Sequence, residues 1–255
     1  MKHINRITLI TLGSVVAACS SSSTQATPEQ YDDTAQAIGS TTATSGGGGD
    51  VASMSDSVSL ALGTMPLGFS LSGDGHFKGN RLGVDYSYAI SCKSLAGVVL
   101  AKCDLTTNEA SVDVAWSGSL QSANVDAAVT RDGKWTVTGL QTDTATFSGD
   151  SSFSFDATLR SIFRPGVTAT YSFDASASYD AVRIATRDRQ VVDGSASFDL
   201  SAHSTVTGAG KDNVDAKFDV HAALTFHADH TATLLLDGSQ RYTIDLGTGV
   251  VVRAN

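Results

Sequence analysis

Residues 214–228, VDAKFDVHAALTFHA, alternate with a period of two. Val214, Ala216, Phe218, Val220, Ala222, Leu224, Phe226 and Ala228 fall on one face; Asp215, Lys217, Asp219, His221, Thr225 and His227 fall on the other, Ala223 being the exception. Such a pattern fits a half-buried β-strand and no helix. Residues 192–206, 168–179 and 145–159 repeat it, with Phe198, Leu200, Tyr171, Phe173, Phe147, Phe153 and Phe155 on their apolar faces. The acids agree: 24 of 26 are Asp, which favours turns, and only Glu29 and Glu109 are Glu, which favours helices. The chain reads as all-β, an antiparallel meander of about ten to twelve strands forming a β-sandwich or a β-barrel.

Turn chemistry joins the runs. RDGK (131–134) and LDGS (236–239) carry Asp-Gly, a hairpin signal because glycine accepts positive φ. RPGVT (164–168) and TGAGKDN (207–213) read as longer connections. Pairing residues i and j with i + j of about 420 across the latter sets Leu200 against Val220 and Phe198 against Ala222. A sum of about 332 across RPGVT sets Leu159 against Phe173. Both keep apolar faces together, as register requires. Within 92–103, Leu95, Val98 and Val99 recur at helical spacing, so a short helix is expected there.

The first residues differ from the rest. Lys2 and Arg6 flank an apolar stretch, residues 7–16, which is too short to span a bilayer and has the form of a secretory signal peptide. Val16-Ala17-Ala18-Cys19 resembles the lipobox of bacterial lipoproteins. That resemblance implies cleavage before Cys19, lipidation of its thiol with a diacylglycerol, and acylation, such as by palmitate, of the new amine. Ser20 after the cysteine implies sorting to the outer membrane. Several acyl chains anchor stably where one gives only marginal binding. Removing residues 1–18 takes two of the 17 basic side chains, leaving 15 against 26 acidic and a formal charge of −11. Such a chain is repelled by polyanions, so nucleic acid is excluded as a partner.

Residues 19–55, rich in Ser, Thr, Gln and Gly, read as a lipid-anchored flexible tether reaching about 30–36 Å, and residues 56–255 as one all-β domain. With Cys19 lipidated, Cys92 and Cys103 are the remaining thiols, and outside the cytoplasm such a pair reads as a disulfide.

Catalytic signatures are absent. The chain has no G-x-S-x-G elbow, no HExxH and no EF-hand spacing, and its scattered aspartates single out no acid–base pair. No enzyme activity and no cofactor are expected. Histidines offer the one constellation: the 420 register puts His221 opposite Asp199 and His227 opposite Asp193, with His203 on the same polar side. These read as exposed cross-strand pairs, and His227, Asp229 and His230 at a turn are the only metal candidates, weak ones. Among the aromatics Tyr86, Tyr88, Trp116, Trp135, Phe147, Phe173, Tyr179 and Phe226, which fit core packing or the floor of a ligand site, Trp135 beside Arg131 is expected to be the most exposed.

The expected function is therefore a lipid-anchored cell-envelope binding or structural module. Its partners are the membrane, through the anchor, and an unspecified protein, glycan or lipid. One alternative is a lipocalin-like carrier of an apolar ligand, since Ala157, Ala175, Ala177, Gly194, Ala196, Ala216 and Ala222 leave room on the apolar face. Another is an outer-membrane β-barrel with that face turned to lipid.

Overall fold

Much of the expected tether is helix. The computed structural model describes residues 25–44, 49–207 and 214–254, so Cys19 and the lipobox lie outside the described residues, as does most of the TGAGKDN connection. Helix α1 spans Pro28–Thr42 and α2 spans Asp50–Ala61, and both are buried along nearly their whole length. The boundary drawn at residue 55 falls inside α2. The sequence TPEQ starts α1: Thr27 accepts from the Gln30 amide, Gln30 accepts from the Thr27 amide, and Pro28 occupies the first turn. Composition excluded an independently folded segment, but these helices form against a wall supplied by the sheet. Tyr31, Ala35 and Ile38 of α1, and Met54, Val58 and Ala61 of α2, enter the common core.

The wall is one antiparallel meander of twelve strands in sequence order: β1 Phe69–Gly73, β2 His76–Arg81, β3 Val84–Ser94, β4 Thr107–Gln121, β5 Val125–Thr138, β6 Thr144–Arg160, β7 Thr168–Ala185, β8 Val191–Thr207, β9 Val214–Phe226, β10 Thr231–Leu236, β11 Gln240–Asp245 and β12 Val251–Arg253. The first and last strands do not pair with each other among the described residues, so the sheet is open. Side chains from β2, β5, β7, β11 and β12 all bond to the two helices, which requires the sheet to curl around them.

Register follows the sequence closely. β8 and β9 pair with the expected sum, Leu200 opposite Val220 and Phe198 opposite Ala222. β6 and β7 slip by four residues: Leu159 faces Ala169, and Phe155 faces Phe173. An even slip preserves the faces, and Phe155 and Phe173 stack with centroids 5.0 Å apart. LDGS turns as expected, Asp237 and Gly238 both having positive φ.

RDGK does not turn. It lies within β5, whose burial alternates strictly over fourteen residues and places Arg131, Gly133 and Trp135 inward. A Cβ on Gly133 would stand 2.9 Å from Trp135 Nε1, so the glycine makes room for the indole ring. Trp135 is consequently buried, and the other seven aromatics named above are buried with it. No helix forms between Cys92 and Cys103, which are disulfide-bonded with Cα atoms 5.4 Å apart; Leu95, Val98 and Val99 are exposed on that loop.

The apolar face of the sheet points in, onto the helices. The outer face carries Ser, Thr and Asp, including Asp113, Asp132, Asp174, Asp199 and Asp219. A transmembrane barrel requires the opposite orientation.

Candidate binding site

Four buried aspartates tie the helices to the sheet. On α1, Asp32 receives Arg253 Nε of β12 at 2.8 Å and the Tyr242 hydroxyl of β11 at 3.0 Å. Asp33 pairs with Arg164 of the β6–β7 loop at 2.5 Å. On α2, Asp56 receives both terminal nitrogens of Arg81 of β2 at 2.9 Å each. Asp50 pairs with Arg131 of β5 and accepts the Tyr179 hydroxyl of β7 at 2.5 Å. Arg131 also donates to Ser151 at 2.7 Å and lies over the rings of Trp116, Phe153 and Tyr179. Burial pushes the carboxyls of Asp33 and Asp50 above the usual range against the pull of their arginines, and that of Asp56 to about 6. Burial likewise raises the phenol of Tyr179 well above its ordinary value. These groups hold the helices in place, and Asp56 with Arg81 also borders a surface pocket beside α2.

An open cavity lies beside β12, the last strand of the sheet. Its volume is about 410 Å³, and it sits between α1, the β4–β5 turn, the β6–β7 loop and β12. Leu120, Val125, Ile162, Phe163, Val250 and Val252 supply apolar lining, and no charged side chain contributes to it. Gln36 of α1 shapes it: its amide nitrogen donates to the carbonyls of Asn124 and Arg160 at 3.3 and 3.0 Å, and its oxygen accepts from the Ile162 amide at 3.1 Å. One side chain thus fastens the helix to two loops. Nearby, Gly39 lets α1 approach β12, because a Cβ there would stand 2.4 Å from Val251 Cγ2 and 2.8 Å from the Gly249 carbonyl.

The histidines are dispersed. His221 Nδ1 meets Asp199 at 2.9 Å, as register implied, and His203 Nε2 meets Asp215, a diagonal neighbour, at 2.5 Å. His227 does not reach Asp193, which pairs with Arg183 at 2.8 Å. Instead its Nε2 contacts Thr233 Oγ1 at 2.9 Å. Asp229 caps its own turn through Thr231, and His230 adopts positive φ there. Among the described residues no group of three or more His, Cys, Asp or Glu side chains is placed to hold a metal ion.

Sequence reasoning missed the arginine–aspartate pairs and the cavity. The helical spacing of Tyr31, Ala35 and Ile38 after a capping box was the available signal for α1; nothing local marked Arg131 as buried. No family model, curated protein or solved structure matches this chain. The class that fold and site define is an open twelve-stranded sheet filled by an N-terminal helical pair.

Proposed function

We propose that this chain is a lipid-anchored binding module of the cell envelope, attached to the outer membrane through Cys19. The observation that carries the reading is the position of α1. Its N-cap, Thr27, is eight positions beyond Cys19, at most about 28 Å of extended chain. The anchor therefore leads almost directly into the core, and the domain stands close to the bilayer. Its Ser/Thr/Asp outer face suits water, and the apolar interior that a lumenal carrier would use is occupied by α1 and α2. The cavity beside β12 offers uncharged, largely apolar space open to a ligand, which favours binding over a purely structural role.

Metabolic labelling of the full chain with an alkynyl palmitate in a Gram-negative host tests the anchor. Label on the wild type and none on Cys19→Ser, with the wild type co-fractionating with outer membrane, is the expected result. An unlabelled wild type, or a Cys19→Ser chain that still fractionates with the membrane, would refute it.

A further inference from the structure

We propose that the cavity beside β12 receives the tail of a single-chain carboxylate amphiphile, in chemical class a fatty acid, with Arg160 as partner of its head group. This deepens the binding-module reading and rests on it.

Size comes first. A cavity of about 410 Å³ lies at the low end of the range of small-molecule sites, enough for one chain and too small for a lipid with several. The lining then sets the chemistry. Leu120, Val125, Ile162, Val250 and Val252 are aliphatic and branched, with Phe163 the one aromatic ring among them, so the walls suit a flexible hydrocarbon chain. Val250 and Val252 remain 54% and 59% exposed and Ile162 36%, an apolar opening that an acyl chain would cover.

Four of the six polar side chains of the lining are already engaged, and the other two, Gln121 and Asn124, stand exposed at the β4–β5 turn. Gln36 uses both ends of its amide, Ser40 Oγ donates to the Ala37 carbonyl, Ser122 Oγ accepts from the Val125 amide, and Thr248 Oγ1 donates to Asp245. A polar ligand would find few free partners inside.

The head group has a candidate partner outside. Arg160 Nη1 donates to the carbonyl of Ala123 at 3.0 Å, between the lining residues Ser122 and Asn124. Among the described residues Arg160 has no carboxylate partner. Its planar fork suits a carboxylate, with the chain directed into the cavity.

The test uses the full chain carrying Cys19→Ser, prepared without detergent so that no lipid of its own competes. The probe is cis-parinaric acid, a fluorescent fatty acid, displaced by palmitic acid or by the uncharged hexadecanol. One saturable site per chain is expected. Val252→Asp, at an exposed position, should leave the melting curve unchanged and weaken the probe at least about tenfold. Arg160→Gln should weaken palmitic acid about three- to tenfold and leave hexadecanol unchanged. Absence of saturable binding, or binding indifferent to Val252→Asp, overturns the site; equal weakening of acid and alcohol by Arg160→Gln overturns the head-group assignment. A chain that labels with palmitate but binds no acid refutes this inference and leaves the anchor standing.

Discussion

Replacing Arg131 tests whether the helices are an integral part of the core. The side chains of Arg131 and Asp50 are each 2% exposed, so either one left alone would be a buried charge without its counterion. Breaking such a pair from one side costs about 3–5 kcal/mol. The two singles should differ. In Asp50→Asn the guanidinium keeps the hydroxyls of Ser151 and Tyr179 and three aromatic rings, which soften the loss to about 3 kcal/mol. In Arg131→Met the carboxylate keeps only the Tyr179 hydroxyl, and the cost approaches about 5 kcal/mol. The double variant Asp50→Leu/Arg131→Met removes both charges from a site already lined with apolar groups. It should fall within about 1 kcal/mol of the wild type or exceed it. For a domain of this size each kcal/mol moves Tm by about 2–4 °C, so the singles should lose about 6–20 °C and the double almost nothing. Denaturant unfolding gives the energies, and hydrogen exchange over residues 50–61 reports α2 itself. If Arg131→Met costs less than about 1 kcal/mol, or if the singles add in the double, the pair is not shielded from water and the reasoning fails.

Three further outcomes follow from the same packing. Asp56 has its carboxyl raised from the ordinary 3.8 to about 6 by burial, so the folded state binds its proton more tightly than the unfolded state. Stability from this group therefore rises as pH falls from 7 towards 4, and the stability of the wild type relative to Asp56→Asn should grow by up to about 3 kcal/mol over that window. A difference that stays constant with pH would contradict the shift. Gly39→Ala places a methyl against Val251 and the Gly249 carbonyl and should cost about 1–3 kcal/mol, with faster hydrogen exchange at 251–253; wild-type exchange there would show that α1 does not brace β12. Reducing the bridge between Cys92 and Cys103, which are 11 positions apart, should lower stability by about 3 kcal/mol, read as a fall in Tm under reductant.

The strands were legible because one physical fact controls them: with one face buried, the period of two fixes the faces, and the faces fix register to within an even slip. The β8–β9 pairing came out as expected and β6–β7 only four residues away, with Phe155 replacing Leu159 as the partner of Phe173. β5 was misread for a related reason. Its inward row runs Val125, Ala127, Val129, Arg131, Gly133, Trp135, Val137, and an arginine followed two places later by a glycine resembles a break in the apolar face. Asp-Gly then imitated a turn. What makes Arg131 an inward residue is Asp50, some eighty positions earlier, and no local pattern contains that partner.

The same long-range dependence hid the helices. The Ser-, Thr-, Gln- and Gly-rich composition of residues 19–55 reads as a segment that cannot bury itself, and the two helices found there carry four aspartates, Asp32, Asp33, Asp50 and Asp56. Each of those charges is met by an arginine from the sheet or its loops, at 253, 164, 131 and 81, so the polarity of the helices and the inward cations of the sheet are two halves of one interface. The small residues that suggested a ligand chamber belong to this interface as well. Ala157, Ala175, Ala177, Ala196 and Ala222 are buried in the same core that receives α1 and α2. Small side chains on the sheet and charge pairs across it are what a wall needs when its contents are helices, and a chamber evolved to hold lipid in its lumen would have little use for four buried carboxylates. The proposed apolar ligand therefore belongs outside the core, in the cavity beside β12, where the lining carries no charge.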